Sequence, residues 1–141
     1  MMRTRALNHS TYQHQYHIVW GTRSRRRFLK PYVKKYFLIQ LKRVLIKYPT
    51  LHLISVNTNE DHVHLQIEIP PNVTVAHAVQ RLKSETSKPL REKYKFINRM
   101  YLEKGIWATG YFSSTVGLNE EQIKKYVEYQ SKQDQGRQLK F

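Results

Sequence analysis

The stretch HVHLQIEI, residues 62–69, alternates between polar and apolar side chains at every position. Its even positions are His, His, Gln and Glu, and its odd positions are Val, Leu, Ile and Ile. Successive side chains of a β-strand point to opposite faces of a sheet, so the pattern predicts a strand with one apolar and one polar face. We expect the apolar face to pack against helices, which places His62 and His64 on the opposite side of the sheet.

The segments before this strand predict a strand, a helix and a second strand. Residues 14–21 (HQYHIVWG) predict a first strand with a similar alternation. In it, Tyr16, Ile18 and Trp20 alternate with His17 and Val19. A helix is predicted from Pro31 until before Pro49, because apolar side chains recur there at helical spacing. Residues 51–57 predict the second strand, which a turn at residues 59–61 joins to the next strand as a hairpin.

The segments after this strand predict a helix, a fourth strand and a last helix. Thr74 is a suitable cap for the second helix, and Pro89 is expected to kink or end that helix. Residues 107–116 (WATGYFSSTV) are rich in β-forming side chains and predict the fourth strand. The last helix is expected to begin at a capping box that contains Asn119 and to run to about Gln133.

The predicted order of elements is β-α-β-β-α-β followed by one more helix, which is the ferredoxin-like arrangement. We therefore predict an α+β fold in which two helices cover one face of an antiparallel sheet and leave the other face free for ligands. The chain has 141 residues, a length typical of one domain, and shows no internal repeat. The prediction is a single domain over residues 1–141, with a basic N-terminal tail at 1–13 and a polar C-terminal tail at 134–141.

The charge of the chain points to a polyanionic partner. It contains 25 Lys and Arg residues against 10 Asp and Glu residues, which gives a formal net charge of +15. Such an excess opposes compaction unless a polyanion offsets it, and its spread along the chain suits a surface that follows nucleic-acid phosphates. The alternative is a surface charge that serves only solubility.

Composition excludes several classes of site and location. The chain has no Cys, which rules out cysteine nucleophiles, iron–sulfur clusters and Cys-rich zinc sites. Its only Asp residues are Asp61 and Asp134, so a nuclease centre of converging carboxylates around two metals has little material. No apolar stretch approaches the ~20 residues that span a bilayer, and residues 1–15 lack the apolar region of a signal peptide. We expect a cytoplasmic protein with no membrane partner.

His62 and His64 form a candidate metal pair. Side chains two apart on a strand lie about 6–7 Å from each other, so both imidazoles can reach one cation. Further ligands have to come from another element, and the last helix offers Tyr and Gln side chains in two i,i+4 pairs. These pairs are Tyr126 with Gln130, and Tyr129 with Gln133. Spacing alone does not choose between them, although a tyrosine in either can act as a covalent nucleophile if cations stabilise its anion.

Three segments in this order resemble the single-tyrosine HUH transposases, the small enzymes of the insertion-sequence group numbered two hundred and six hundred and five. HUH stands for His, a hydrophobic residue and His. The segments are NEDHVH at residues 59–64, WATGYFSSTVG at residues 107–117 and IKKYVEYQ at residues 123–130. The resemblance covers most of the chain, and its specificity comes from HUH and Tyr-x-x-x-Gln occurring together in so short a sequence.

The resemblance implies a DNA transposase that cleaves and rejoins single-stranded DNA through a 5′-phosphotyrosine intermediate. It implies that His62, His64 and Gln130 bind a divalent cation, Mg²⁺ or Mn²⁺, and that Tyr126 on the C-terminal helix is the nucleophile. It also implies a homodimer, and binding of DNA hairpins near the ends of a mobile element by the basic surface. The candidates for phosphate contact are Arg23, Arg25, Arg26, Arg27 and Lys83.

Two alternative functions stay open at this point. One is a nickase of the replication-initiator or relaxase type, which shares the HUH chemistry and differs in not exchanging two cut ends. The other is a non-enzymatic RNA-binding module on a ferredoxin-like sheet. The polar side of the 62–69 strand carries His, His and Gln instead of stacking aromatic side chains, which disfavours the RNA-binding module.

Overall fold

A computed structural model describes residues 5–7, 10–12, 14–102, 104–115 and 120–138. Its elements follow in chain order: β1 (Arg5–Leu7), β2 (Ser10–Tyr12), β3 (Gln15–Gly21), the 3₁₀ turn η1 (Arg23–Arg25), α1 (Pro31–Lys47), β4 (His52–Asn59), β5 (His62–Glu68), α2 (Val75–Lys93), α3 (Lys95–Met100), β6 (Phe112–Ser114) and α4 (Glu120–Gln138). Strands β1 and β2 pair with each other within the segment predicted to be an N-terminal tail.

The main sheet has four strands in the order β4-β5-β3-β6, and each neighbouring pair is antiparallel. Helix α1 connects β3 to β4, and α2 lies between β5 and β6 in the chain. This arrangement confirms the predicted ferredoxin-like α+β fold. It also puts β5, the strand whose alternation opened the sequence analysis, in the interior of the sheet between β4 and β3.

The apolar side of β5 faces the core, as predicted. Val63, Leu65 and Ile67 are fully buried, and Trp20 and Ile18 of β3 lie directly opposite the first two of them. This layer packs with the apolar faces of α1 and α2 in one large cluster. The helices contribute Val33, Phe37, Leu41 and Val44 from α1, and Val79, Leu82 and Leu90 from α2. Burial of these side chains is the main source of stability for the domain.

Two helix boundaries were predicted with different success. The Oγ1 of Thr74 accepts a hydrogen bond from the backbone N–H of His77 at 3.1 Å, so Thr74 caps α2 as expected. Pro89 was expected to kink or end this helix, and it does not end it, because α2 continues through Pro89 to Lys93. Leu90, the next residue, is fully buried in the core, and its packing accounts for the continuation.

The predicted strand at residues 107–116 is mostly something else. Only Phe112–Ser114 form a strand, and Trp107 makes an isolated bridge with Thr22. The Trp107 ring lies 5.8 Å from the Trp20 ring, and its indole N–H donates to the backbone carbonyl of Lys83 at 3.0 Å. The aromatic side chain that suggested a strand is thus an anchor of the loop to the core. Residues 116–119, which include the predicted strand end and the cap at Asn119, lie outside the described residues.

The face of the sheet opposite α1 and α2 is not entirely free, which corrects the prediction. Helix α4 lies against β3 and η1 on that side. A small second cluster of Val19, Ile123 and Val127 joins α4 to the sheet, with Tyr126 packed against it. In the described part of the chain, no helix has the length and apolar character needed to cross a membrane.

Candidate functional site

The polar face of the sheet, defined here as the side that carries His62 and His64, continues from strand to strand. In an antiparallel pair, directly opposed residues share a face and lie about 4.5–5.5 Å apart. His64 is opposed by Val19 on β3 and by Asn57 on β4. Phe112 on β6 is opposed to the other side of Val19. His64, Val19 and Phe112 therefore form one row across the sheet.

Helix α4 places Tyr126 over this row. Val19 contacts Ile123 and Val127 in the second cluster, against which Tyr126 packs. The ring of Tyr126 also lies 6.0 Å from the ring of Phe112, measured between centroids. Tyr126 thus contacts two members of the row, Val19 on β3 and Phe112 on β6, and Val19 is the cross-strand neighbour of His64.

The two tyrosines that spacing could not separate have different surroundings. Tyr129 is 60% exposed, so its side chain points away from the sheet. Tyr126 is partly buried, and Gln130, one turn further along α4, is 8% exposed. Residues four apart share a helix face, which puts Gln130 and Tyr126 together on the sheet-facing side. Tyr126 and Gln130, and not Tyr129, therefore face the side of the sheet that carries His64.

His62 is held by an acidic neighbour. Its Nδ1 lies 2.9 Å from Oδ1 of Asp61, and the Nε of Arg25 donates to Oδ2 of the same carboxylate at 2.8 Å. Burial of the carboxyl opposes ionisation, but the hydrogen bonds from His62 and Arg25 outweigh it and lower the pKa of Asp61 to about 2. Asp61 is consequently ionised at neutral pH, and it orients the His62 imidazole.

A third histidine of the polar face was missed by the sequence analysis as a site residue. The Nδ1 of His17 lies 3.4 Å from the Nε2 of His64, and the two rings are 5.6 Å apart between centroids. The signal was present, because the alternation of the first strand already put His17 on the side away from Ile18 and Trp20. Combining the two strand alternations would have placed His17 beside the His pair.

The basic residues predicted to contact phosphates divide into two groups. Arg25 forms an ion pair with Asp61, and Lys83 donates from its Nζ to the carbonyls of Ala108 and Gly110 at 2.7 and 2.8 Å. These two cations have structural partners within the chain. Arg26 and Arg27 are exposed next to η1, while Arg23 donates weakly to the carbonyl of Gly105 at 3.4 Å.

The donor set on the polar face decides what kind of metal site it could form. In the residues that the structure describes, no three His, Cys, Asp or Glu side chains cluster to hold a metal. Two imidazoles, those of His62 and His64, lie on one strand, and the ligand that the last helix could add is of another type. The buried amide of Gln130 belongs to such a type, and oxygen with imidazole donors suits Mn²⁺ and Mg²⁺ with water completing the shell.

Comparison with known sequences gives a consistent assignment. The family model described as "Transposase IS200 like" matches residues 10–130 of the chain. The chain is also 29% identical over 136 residues to the transposase of insertion sequence element IS200 of Salmonella typhimurium. That match covers 96% of this chain and 89% of the relative.

Comparison with solved structures supports the fold. A candidate transposase from Deinococcus radiodurans R1 superimposes with a TM-score of 0.71 at 22% identity, over 82% of this chain and 89% of that one. A REP-associated tyrosine transposase bound to a REP hairpin gives a TM-score of 0.53 at 13% identity, over 82% of this chain and 62% of that one. At these identities, the likeness concerns the arrangement of the backbone.

Proposed function

The chain belongs to the IS200-like transposase family, and we propose that it cleaves and rejoins single-stranded DNA through a covalent bond between DNA and Tyr126. Family membership makes the protein a DNA transposase, and the proposal concerns its substrate, its intermediate and the residues that act. It also favours the transposase over both alternatives, the nickase and the RNA-binding module. We also propose that the protein acts in the cytoplasm, where we expect its DNA substrate to be.

One observation carries the assignment of residues. Tyr126 packs on Val19, and Val19 is directly opposed to His64 in the sheet. On the same helix, the other tyrosine that has a glutamine four residues later, Tyr129, points to solvent. A phenol beside an imidazole pair on one protein surface is a suitable arrangement for phosphoryl transfer, which depends on positioning and on stabilising negative charge.

The proposed reaction exchanges one phosphodiester for another. The Oη of Tyr126 loses its proton to solvent and attacks the phosphorus, forming a phosphotyrosine at the 5′ end of the cut strand. The bond from phosphorus to the 3′ oxygen breaks, and that oxygen takes up a proton. In the joining step, a 3′-hydroxyl of another strand attacks the same phosphorus and releases the Tyr126 phenol. No net hydrolysis occurs, so the cycle needs no ATP.

A divalent cation, Mg²⁺ or Mn²⁺, would polarise the scissile phosphate and stabilise the developing charge. His62 fits a ligand role because its Nδ1 is bonded to Asp61, which leaves Nε2 with its lone pair for a cation. His64 would be the second ligand and Gln130 the third. The task of the protein residues is to hold these donors in place and to keep Tyr126 close to them.

The DNA itself is proposed to lie along the basic surface that borders the polar face. Arg26 and Arg27 are exposed beside η1, which α4 contacts, so their charges are available to phosphates near Tyr126. The REP-associated tyrosine transposase of similar fold is bound to a REP hairpin, and a DNA hairpin at each end of the mobile element is the substrate that we propose here. Arg23, Arg25 and Lys83 remain proposed contacts that would first have to leave, or share, their partners in the chain.

A homodimer is the remaining part of the proposal, taken from the resemblance. Exchanging two DNA ends needs two cleavage sites, and two copies of one chain supply them with the fewest components. Light scattering of the purified protein measures this directly. A mass of one chain, with and without hairpin DNA, would remove the dimer from the proposal and leave the chemistry of a single site unaffected.

The nucleophile is tested by covalent capture. Labelled single-stranded oligonucleotides that cover the two ends of the DNA element encoding the chain are incubated with the protein and Mn²⁺, then separated on denaturing gels. We expect a protein–DNA adduct that disappears in Tyr126→Phe, because the phenylalanine lacks the attacking oxygen. The rate of adduct formation should fall by a factor of at least about 1,000.

Tyr129→Phe is the matched control, since it removes a phenolic hydroxyl from the exposed side of the same helix. It should form the adduct at nearly the normal rate and bind DNA normally. An adduct that survives in Tyr126→Phe and is lost in Tyr129→Phe would overturn the assignment. Products in which two cut ends are joined separate the transposase from a nickase, which gives cut strands only.

A further inference from the structure

Asp61 bonds to two different elements with its two carboxylate oxygens. Oδ1 lies 2.9 Å from the Nδ1 of His62, and Oδ2 accepts from the Nε of Arg25 at 2.8 Å. The side chains of Asp61 and His62 are 10% and 14% exposed, whereas Arg25 is 41% exposed, so the bond to His62 is the more sheltered of the two. Each oxygen therefore has a separate task, one on the HUH strand β5 and one on the turn η1.

The bond to His62 selects one tautomer of that imidazole. An ionised carboxylate only accepts hydrogen bonds, so the Nδ1 of His62 has to carry the proton. The Nε2 of His62 is then unprotonated whenever the ring is neutral, which is the form that binds a cation. Free histidine prefers the opposite tautomer, with the proton on Nε2, so Asp61 reverses the intrinsic preference.

The bond to Arg25 holds an unusual turn. Ser24 and Arg25 both have φ of 55°, in the left-handed region that non-glycine residues adopt only when their surroundings impose it. The main chain of Asp61 holds the start of the same turn, because its carbonyl accepts from the N–H of Thr22 at 2.9 Å and from the Thr22 hydroxyl at 3.2 Å. Asp61 thus fixes the segment 22–25 at both ends.

The turn η1 also forms part of the surface on which α4, the helix that carries Tyr126, packs, and we call this surface the α4 seat. Helix α4 contacts η1 and β3, and few other elements. A change in η1 therefore shifts the surface on which α4 rests. Asp61, which bonds to His62, consequently also supports the turn η1, against which the helix with Tyr126 packs.

Resting on the proposed function, we propose that Asp61 is a positioning residue that links the two halves of the site. Through His62 it presents a cation-ready imidazole, and through Arg25 it keeps the α4 seat in place. It touches neither DNA nor the reacting atoms. Loss of Asp61 should therefore weaken cation binding and covalent capture by two separable routes, and the fold should remain.

The first test reads the tautomer in the absence of metal and DNA. Long-range proton–nitrogen NMR spectra of the full chain, recorded at a pH where the imidazoles are neutral, distinguish the two tautomers, and a His62→Gln variant assigns the signal. We expect His62 to carry its proton on Nδ1 in the wild type and on Nε2 in Asp61→Ala. Asp61→Asn, whose amide oxygen still accepts from Nδ1, should largely retain the wild-type tautomer.

The second test measures the affinity for Mn²⁺ by the electron spin resonance signal of the free ion. Loss of a carboxylate behind a ligating histidine typically weakens metal binding roughly 10- to 100-fold, and we expect this for Asp61→Ala. Arg25→Ala should bind Mn²⁺ within about twofold of the wild type while forming the DNA adduct more slowly, because it disturbs the α4 seat. Hydrogen exchange of the α4 amides in the absence of DNA should also speed up in this variant, and this separates the α4 seat from the phosphate contact proposed for Arg25. Glu60→Gln is the matched control, since Glu60 is the adjacent acid and pairs with Lys30 on the surface.

The outcomes separate this inference from the proposed function. An unchanged His62 tautomer in Asp61→Ala, or unchanged Mn²⁺ affinity, would overturn the role of Asp61 even if Tyr126 forms the adduct. An adduct that survives in Tyr126→Phe would overturn the nucleophile and leave the tautomer result intact. If Asp61→Ala does not fold, Asp61→Asn and Arg25→Ala decide, because both disturb the bond between residues 61 and 25: adduct formation at the wild-type rate in both variants refutes the link.

Discussion

The side of the sheet that faces α1 and α2 and the side that faces α4 are made by the same strands. On the helix side, β3 and β5 contribute side chains such as Trp20, Leu65 and Ile67 to one large apolar cluster with both helices. On the polar face, the buried apolar cluster is small and consists of Val19, Ile123 and Val127. The neighbours of Val19 across the sheet are the imidazole of His64, the amide of Asn57 beyond it and the exposed ring of Phe112.

This difference separates stability from chemistry within a single strand. Along β5, core residues alternate with residues of the polar face, among them His62 and His64, at a spacing of about 3.3 Å. On the polar face, α4 packs against β3 and η1, and the polar side chains of β5 are not part of either apolar cluster. It follows that variants of neighbouring residues on β5 should affect different properties of the protein.

The largest expected effects come from a pair of neighbours, His64 and Leu65. His64→Ala should abolish adduct formation and shift the free energy of unfolding by less than about 1 kcal/mol, since the side chain lies outside the core. Leu65→Ala should lower the free energy of unfolding by about 2–5 kcal/mol, because it leaves a cavity in a fully buried layer. Urea unfolding followed by circular dichroism, with adduct assays on the folded fraction, measures both.

The comparison of the two faces fails if these effects are exchanged. Severe unfolding of His64→Ala would mean that the polar face also carries the fold. Normal stability of Leu65→Ala would mean that the helix side is not the principal core.

A smaller effect is expected in acid. The pKa of Asp61 is lowered from 3.8 to about 2, so its ionised form stabilises the folded chain above its unfolded pKa, and that contribution is lost as the pH falls through about 4 towards 2. The shift corresponds to about 2 kcal/mol at most. Asp61→Asn should be less stable than the wild type near pH 6, and the gap between the two unfolding free energies should narrow by pH 3. A gap that stays constant would show that Asp61 does not titrate with its partners in the folded chain.

The smallest effect concerns the attachment of α4. Val127→Ala removes part of the small second cluster and should weaken the docking of α4 by about 1 kcal/mol, while the midpoint of global unfolding hardly changes. Hydrogen exchange of the α4 amides should speed up about fivefold, and exchange in β5 should stay as it is. Glu128→Ala, an exposed neighbour on the same helix, is the control. Equal acceleration in β5 would mean that α4 and the core unfold together.

The sequence predicted the fold well where the pattern is strictly local. The alternation at residues 62–69 assigned the faces correctly, because a strand in the interior of a sheet leaves no freedom for a one-residue shift once one side is buried. The same holds for the helix that starts at Pro31 and for the cap at Thr74. These features depend on neighbours within a few residues.

The features that were missed depend on distant partners. Pro89 was expected to kink or end its helix, but packing of Leu90 in the core carries α2 onward. Trp107 suggested a strand by its type, but its ring and indole N–H are used to attach a loop to α2 and the core. Local propensity is overridden in both cases by burial that only the assembled fold provides.

For the candidate site, the sequence supplied the residue types and left the choice among them open. Tyr126 and Tyr129 have equal spacing to a glutamine, and only the way α4 lies on Val19 distinguishes them. Asp61 was taken as a turn residue, and nothing in the sequence relates it to Arg25, thirty-six positions earlier. The metal ligands and the nucleophile stay predictions until cation binding and capture are measured.

The two tryptophans of the chain, Trp20 and Trp107, lie edge to face in the same apolar layer on the helix side. Tryptophan fluorescence, excited selectively, therefore reports on the core and is not expected to respond to movements of α4. An optical signal for that helix has to be built in, and Phe112 is the natural place, since its ring already contacts Tyr126. The substitution Phe112→Trp would add an indole next to Tyr126, and its emission would report whether α4 is packed on the sheet or released, which the two native tryptophans do not report.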